Sequence, residues 1–74
     1  MRLCDLTIGQ RGRVIALNCN GSMRRRLLDI GLVTGTIVEC VGRSPGGDPA
    51  AYLIRSAVIA IRDRDSADIL IERA

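Results

Sequence analysis

The tightest constraint on this chain is how closely its turn formers are spaced. Gly9-Gln10-Arg11-Gly12, Asn18-Cys19-Asn20-Gly21, Gly31, Gly35 and the loop Arg43-Ser44-Pro45-Gly46-Gly47-Asp48-Pro49 punctuate it, followed by the polar Asp63-Arg64-Asp65-Ser66. Proline cannot donate to a sheet ladder and glycine weakens one, so these positions confine regular structure to the short apolar stretches between them. The stretches predict strands over residues 13–17, 36–41, 50–54, 57–62 and 69–72, with Arg55-Ser56 turning the third into the fourth as a hairpin. One helix is predicted, Ser22 to Ile30. Asn20 or Ser22 is placed to cap it, and Gly31 stands where a left-handed C-terminal cap is wanted. Met23, Leu27 and Ile30 recur at helical spacing and mark its buried face.

Five short strands and one short helix in 74 residues predict a mainly β fold, a small closed SH3-like five-stranded barrel forming one domain over residues 1–74. The strands carry a further signal. A half-buried strand alternates apolar with polar residues, yet here both faces are apolar: Val14 and Ala16 alternate with Ile15 and Leu17, and Ala51 and Leu53 with Tyr52 and Ile54. A small barrel has one interior. Either the helix and N-terminal segment cover the outside, or an apolar patch is left for a partner or a second copy; the sequence favours the patch.

Composition narrows the chemistry. The chain has no His and no Lys, so the usual general bases and activated nucleophiles are missing, and no enzyme is expected. Cys4, Cys19 and Cys40 are odd in number and widely spaced, which fits neither a disulfide framework nor a structural zinc site. They read as reduced thiols. Cys40, mid-strand, is expected in the core, and Cys19, in a Gly/Asn loop, is expected at the surface. Asp63, Asp65 and Asp68 lack the Gly and distal Glu of a calcium loop, and the glycines after Pro45 lack the Lys-Ser/Thr of a phosphate-binding loop. No signal segment opens the chain and no apolar run approaches the ~20 residues of a membrane span, so a cytoplasmic protein without membrane insertion is expected. Tyr52 is the lone aromatic, too little to stack nucleic-acid bases or grip a proline-rich peptide.

The arginines give the one candidate site. Arg24, Arg25 and Arg26 fall in the first turns of the predicted helix, where exposed cations oppose the helix dipole by ~0.3–1 kcal/mol each. Asp29 offers Arg25 one pair, in the less favourable orientation. Leu28 points off the apolar stripe, on the side of Arg24. Arginines beside an exposed leucine make a poor helix but plausible docking chemistry, so Arg24, Arg25, Arg26 and Leu28 are the expected partner-binding residues.

The ordered set Arg25-Arg26-Leu27-Leu28-Asp29-Ile30-Gly31-Leu32, Gly35-Thr36 and Ser44-Pro45-Gly46-Gly47-Asp48-Pro49 resembles the FeoA family, with its basic helix, "LG", "PG" turn and "AP-x-GDP" loop. Ile59-Ala60-Ile61-Arg62, Ala67 and Ile69-Leu70-Ile71 continue the pattern, so the match spans nearly the whole chain. Val33-Thr34 stands where the family has proline before the glycine, and Ser44 where it has alanine; both are turn positions. The resemblance implies an SH3-like barrel and a cytoplasmic accessory of ferrous-iron uptake. Its implied partner is FeoB, a membrane transporter with a cytosolic GTPase domain, which it would bind and modulate. Fe(II) is then the transported ion; no cofactor, catalytic residue or metal ligand is implied, and any transition-metal contact is expected to be weak. Stimulating a GTPase in trans would ask Arg24, Arg25 or Arg26 to act as an arginine finger. The alternatives are a free-standing repressor-type barrel with a metal-sensing or regulatory role and a small RNA-binding barrel.

Overall fold

The computed structural model describes all 74 residues, Met1 to Ala74. Five antiparallel strands form one sheet: β1 (Arg11–Leu17), β2 (Ile37–Arg43), β3 (Ala50–Ile54), β4 (Ala57–Ile61) and β5 (Ile69–Arg73), in the spatial order β4-β3-β2-β1-β5. One helix, α1 (Gly21–Asp29), joins β1 to β2. The fold is mainly β, as expected, with three differences. The 3-10 turn Leu3–Asp5 precedes β1. The polar stretch read as a turn closes into the single helical turn α2 (Asp63–Ser66), its carbonyls at Arg62 and Asp63 accepting from Ser66 and Ala67 at 3.0 and 2.9 Å. Finally, the sheet curls without sealing: β4 and β5 are its two ends and are not paired. The outer edge of β5 is taken instead by the N-terminal segment, where Ile71 N–H donates to the Met1 carbonyl at 2.8 Å and Arg2 bridges Leu70.

β1 begins two residues earlier than the turn signal at Gly9–Gly12 predicts. Gly12 lies inside the strand, paired with Val38 on one side and Arg73 on the other. A Cβ at this position would come within 2.6 Å of Ile71 Cδ1, so glycine here serves a close strand crossing and not a bend. The β3–β4 hairpin matches the expectation. Arg55 and Ser56 both take positive φ, 48° and 71°, as a two-residue turn that follows strand twist requires.

Alternation decides the interior. Val14, Val38, Cys40, Ala50, Tyr52, Ile54, Ile69 and Ile71 point inward, joined by Leu3 and Leu6 from the N-terminal segment and by Leu27 and Leu32 around the helix. The opposite face stays open: Ile15, Val41 and Leu53 are exposed, and Val58 on β4 is 62% exposed. Helix and N-terminal segment therefore do not cover the outside of the sheet. Cys40 is buried as expected. Cys19 corrects its expectation: it is 6% exposed and packs in the core cluster with Leu27, because the segment entering α1 turns its side chain inward.

Candidate functional site

Helix α1 is fixed from its C-terminal end. Leu32 N–H donates to the Leu27 carbonyl at 2.9 Å and Gly31 N–H to Leu28 at 3.0 Å, with Gly31 at φ +91°. These two bonds satisfy carbonyls the helix leaves free, and the buried Leu27 and Leu32 supply the apolar contact that accompanies such an ending. At the other end Asn20 occupies the cap position, but its side chain makes no capping bond. Arg24 holds this end instead, its Nη1 donating to the Leu17 carbonyl of β1 at 2.7 Å. Leu27 is the one buried residue of α1.

This anchoring splits the arginine triplet. Arg24, Arg25 and Arg26 are all exposed. Arg24 and Arg25 flank a shallow concavity together with Leu28, which is 40% exposed. Arg26 faces the other way, onto a groove of about 340 Å³ between α1 and β4. Met23, Leu27 and Ile30 of α1 and its C-terminus and Ile59, Ala60 and Ile61 of β4 form the apolar part of that groove, and Arg62 and Arg64, from the chain leaving β4, join Arg26 along it. Asp65 is the only carboxylate there. The structure thus places Arg24, Arg25 and Leu28 together and separates Arg26 from them. The sequence signal for Arg62 and Arg64 was an arginine closing an apolar strand, but nothing local tied it to the helix.

The expected Arg25–Asp29 pair is not made. The ion pairs of the protein are Arg2–Asp5, Arg13–Glu72 and Arg43–Asp63, which leaves Arg25, Arg26, Arg62 and Arg64 without a carboxylate. Unpaired guanidinium groups keep all their donors for an anionic partner.

Arg43 is a different kind of arginine. Predicted as a loop residue, it ends β2 with its side chain 25% exposed. Nη1 donates to the Gly47 carbonyl at 3.0 Å, and Nη2 to the carbonyls of Cys4 and Leu6 at 3.0 and 2.9 Å. The planar fork ties the N-terminal segment and the Pro45–Pro49 loop to the sheet. Asp63 stands 3.6 Å from Nη1, too far for a hydrogen bond.

Tyr52, the only aromatic, is fully buried; its hydroxyl lies 3.5 Å from the Leu3 carbonyl. Burial pushes its pKa above the ordinary tyrosine value. Asp5 shifts the other way: the Arg2 backbone N–H, 2.9 Å from Oδ2, holds its carboxyl below the usual value. No three His, Cys, Asp or Glu side chains converge as a metal site. No helix is long and apolar enough to cross a membrane.

The model of the FeoA domain family matches residues 1–73. A Porphyromonas gingivalis protein described as an Fe(2+) transport protein A/Fe(2+) transporter FeoB fusion is 32% identical over 72 residues. That alignment takes in 97% of this chain but only 8% of the fusion protein, so this chain corresponds to a small part of it. Among solved structures, FeoA of Chlorobium tepidum superposes with a TM-score of 0.93 at 29% identity, covering 99% of this chain and 70% of that one. FeoA of Stenotrophomonas maltophilia, a prokaryotic SH3 domain protein solved with zinc, superposes at 0.86 and 25% identity, covering 97% and 89%. Agreement of family model, relatives and fold along essentially the whole length establishes that this chain belongs to the FeoA domain family.

Proposed function

We propose that this protein is a cytoplasmic, non-enzymatic accessory of ferrous-iron uptake that docks on a FeoB-like membrane transporter and modulates its transport or GTP turnover. The observation that carries this reading is the fusion relative, in which the two functions share one polypeptide. Linking two modules raises their effective concentration, and a fused relative is the expected trace of partners that work in contact. The surface fits the role. Arg24, Arg25 and Arg26 are exposed on α1 without carboxylate partners, and Leu28 supplies an apolar contact between the first two. Fe(II) is the transporter's cargo, and this chain works without a resident metal or cofactor. Burial of Tyr52 removes the one base-stacking side chain from the surface, which disfavours RNA as the partner.

The test is affinity for the cytosolic part of a FeoB-like transporter from the same cell. Arg25→Glu should leave the thermal midpoint within a few degrees of wild type, because exposed charges contribute ~0–1 kcal/mol to stability. It should weaken the complex about tenfold or more, and added salt should weaken the wild-type complex. An Arg25→Glu variant with unchanged affinity would make the arginine face a solvated surface.

A further inference from the structure

The outer edge of β4 is open in a way that edge strands are ordinarily built to avoid. Soluble proteins protect such edges with charged side chains, prolines or bulges. β4 reads Ala57-Val58-Ile59-Ala60-Ile61, has none of these, and pairs with β3 over five residues without a register shift. The two-residue turn at Arg55-Ser56 makes Ile54 and Ala57 a hydrogen-bonded pair, so by antiparallel alternation the N–H and C=O of Val58 and Ala60 point away from the sheet. No backbone bond outside the ladders involves residues 57–61. Alongside this edge lies the groove floored by Met23, Ile30 and Ile59 and lined by Arg26, Arg62 and Arg64.

We propose that β4 and the α1 groove together accept an extended acidic segment of a partner protein, added as a sixth strand to the sheet. The backbone of the segment pairs with Val58 and Ala60. Its alternate side chains turn toward α1, an apolar one onto Met23 and Ile59 and carboxylates onto Arg26, Arg62 and Arg64. In this mode backbone bonds supply affinity and the alternate side chains supply selection. Charge decides between occupants. A second copy paired through β4 about a two-fold axis would run its strand antiparallel, so its Ala57-Val58 end, which carries no carboxylate, would meet Arg62 and leave the groove arginines unneutralised. An acidic strand neutralises them. The inference deepens the reading above by naming what a partner would present, and a synthetic probe lets it fail without that reading.

The probe is an acetylated, amidated nonapeptide with threonine at its even positions and, at its odd positions, a central valine flanked by glutamates, so that one face of the strand carries both the apolar and the acidic side chains; it is titrated into the full chain. Binding should slow hydrogen exchange at the Val58 and Ala60 amides. Arg62→Glu together with Arg64→Glu should weaken it about tenfold or more. The counterpart with lysine in place of glutamate should not bind. Two peptides N-methylated at alternate sets of positions test the geometry without altering the protein: methyl groups on the edge that meets β4 should abolish binding, and those on the far edge should leave it intact. Equal binding of both methylated peptides, no protection at Val58 and Ala60, or tighter binding of a single-stranded oligonucleotide to the same groove would each overturn strand addition. Self-association of the free chain with the same two amides protected would give the edge to a second copy and overturn it as well.

Discussion

Replacing Arg43 by lysine separates the geometry of a guanidinium from its charge. Arg43 makes three hydrogen bonds to backbone carbonyls, at Gly47, Cys4 and Leu6, which join the N-terminal segment and the Pro45–Pro49 loop to the end of β2. Hydrogen bonds from a charged donor contribute ~1.5–3 kcal/mol each, and water can reach these carbonyls once the fork is gone. Lysine keeps the charge and can satisfy one of the three at a time. Its net cost is therefore about 2–4 kcal/mol, against a total stability of roughly 4–11 kcal/mol for a chain of this length. That corresponds to a fall in thermal midpoint of about 10–25 °C. Asp63→Asn is the control, because the 3.6 Å contact to Nη1 is long and the aspartate side chain is 45% exposed. It should cost under ~1 kcal/mol. Thermal unfolding followed by circular dichroism measures both variants. Should Arg43→Lys melt like wild type, or Asp63→Asn cost as much as Arg43→Lys, the argument from the fork is wrong.

Two further expectations concern the core. Leu27→Ala should cost ~2–5 kcal/mol, since Leu27 is the one fully buried residue of α1, whereas Leu28→Ala one residue on should change stability by under ~0.5 kcal/mol; equal effects in urea titration would contradict the assignment of the helix face. Tyr52 has a folded pKa raised above 10.0 by burial, so the folded state holds its proton longer than the unfolded chain does. Stability should fall as pH rises through and beyond about 10, and Tyr52→Phe should remove that slope; an unchanged slope in the Phe variant would locate the alkaline sensitivity elsewhere.

What the sequence disclosed is what local chemistry determines. The helix ends at Gly31 because the following residue must return to the core, and the β3–β4 hairpin turns at Arg55-Ser56 because flanking apolar alternation leaves nowhere else. The misread positions depend on residues far away in the chain. Gly12 looks like a turn until Ile71 is seen against it, and Arg43 looks like loop until the carbonyls of Cys4 and Leu6 reach its guanidinium. Cys19 is polar-flanked in sequence yet faces the core. The candidate site divides the same way. The helical arginines are legible as a local oddity, three cations opposed to the dipole, whereas the failure of Asp29 to pair with Arg25 is not. Arg62 and Arg64 become part of a groove only once β4 has folded alongside α1.

The unequal protection of the two sheet ends sets a limit on assembly. Edge-to-edge growth into a filament requires every subunit to offer two free edges, one to receive and one to be received. Here Met1 and Arg2 occupy the β5 edge, so the subunit has a valence of one. A second copy that adds to β4 closes the assembly as a dimer, and a foreign strand adds once per subunit, so neither propagates a chain of subunits. A chain with an uncharged strand at its border can thus stay receptive to one guest without becoming the seed of a polymer.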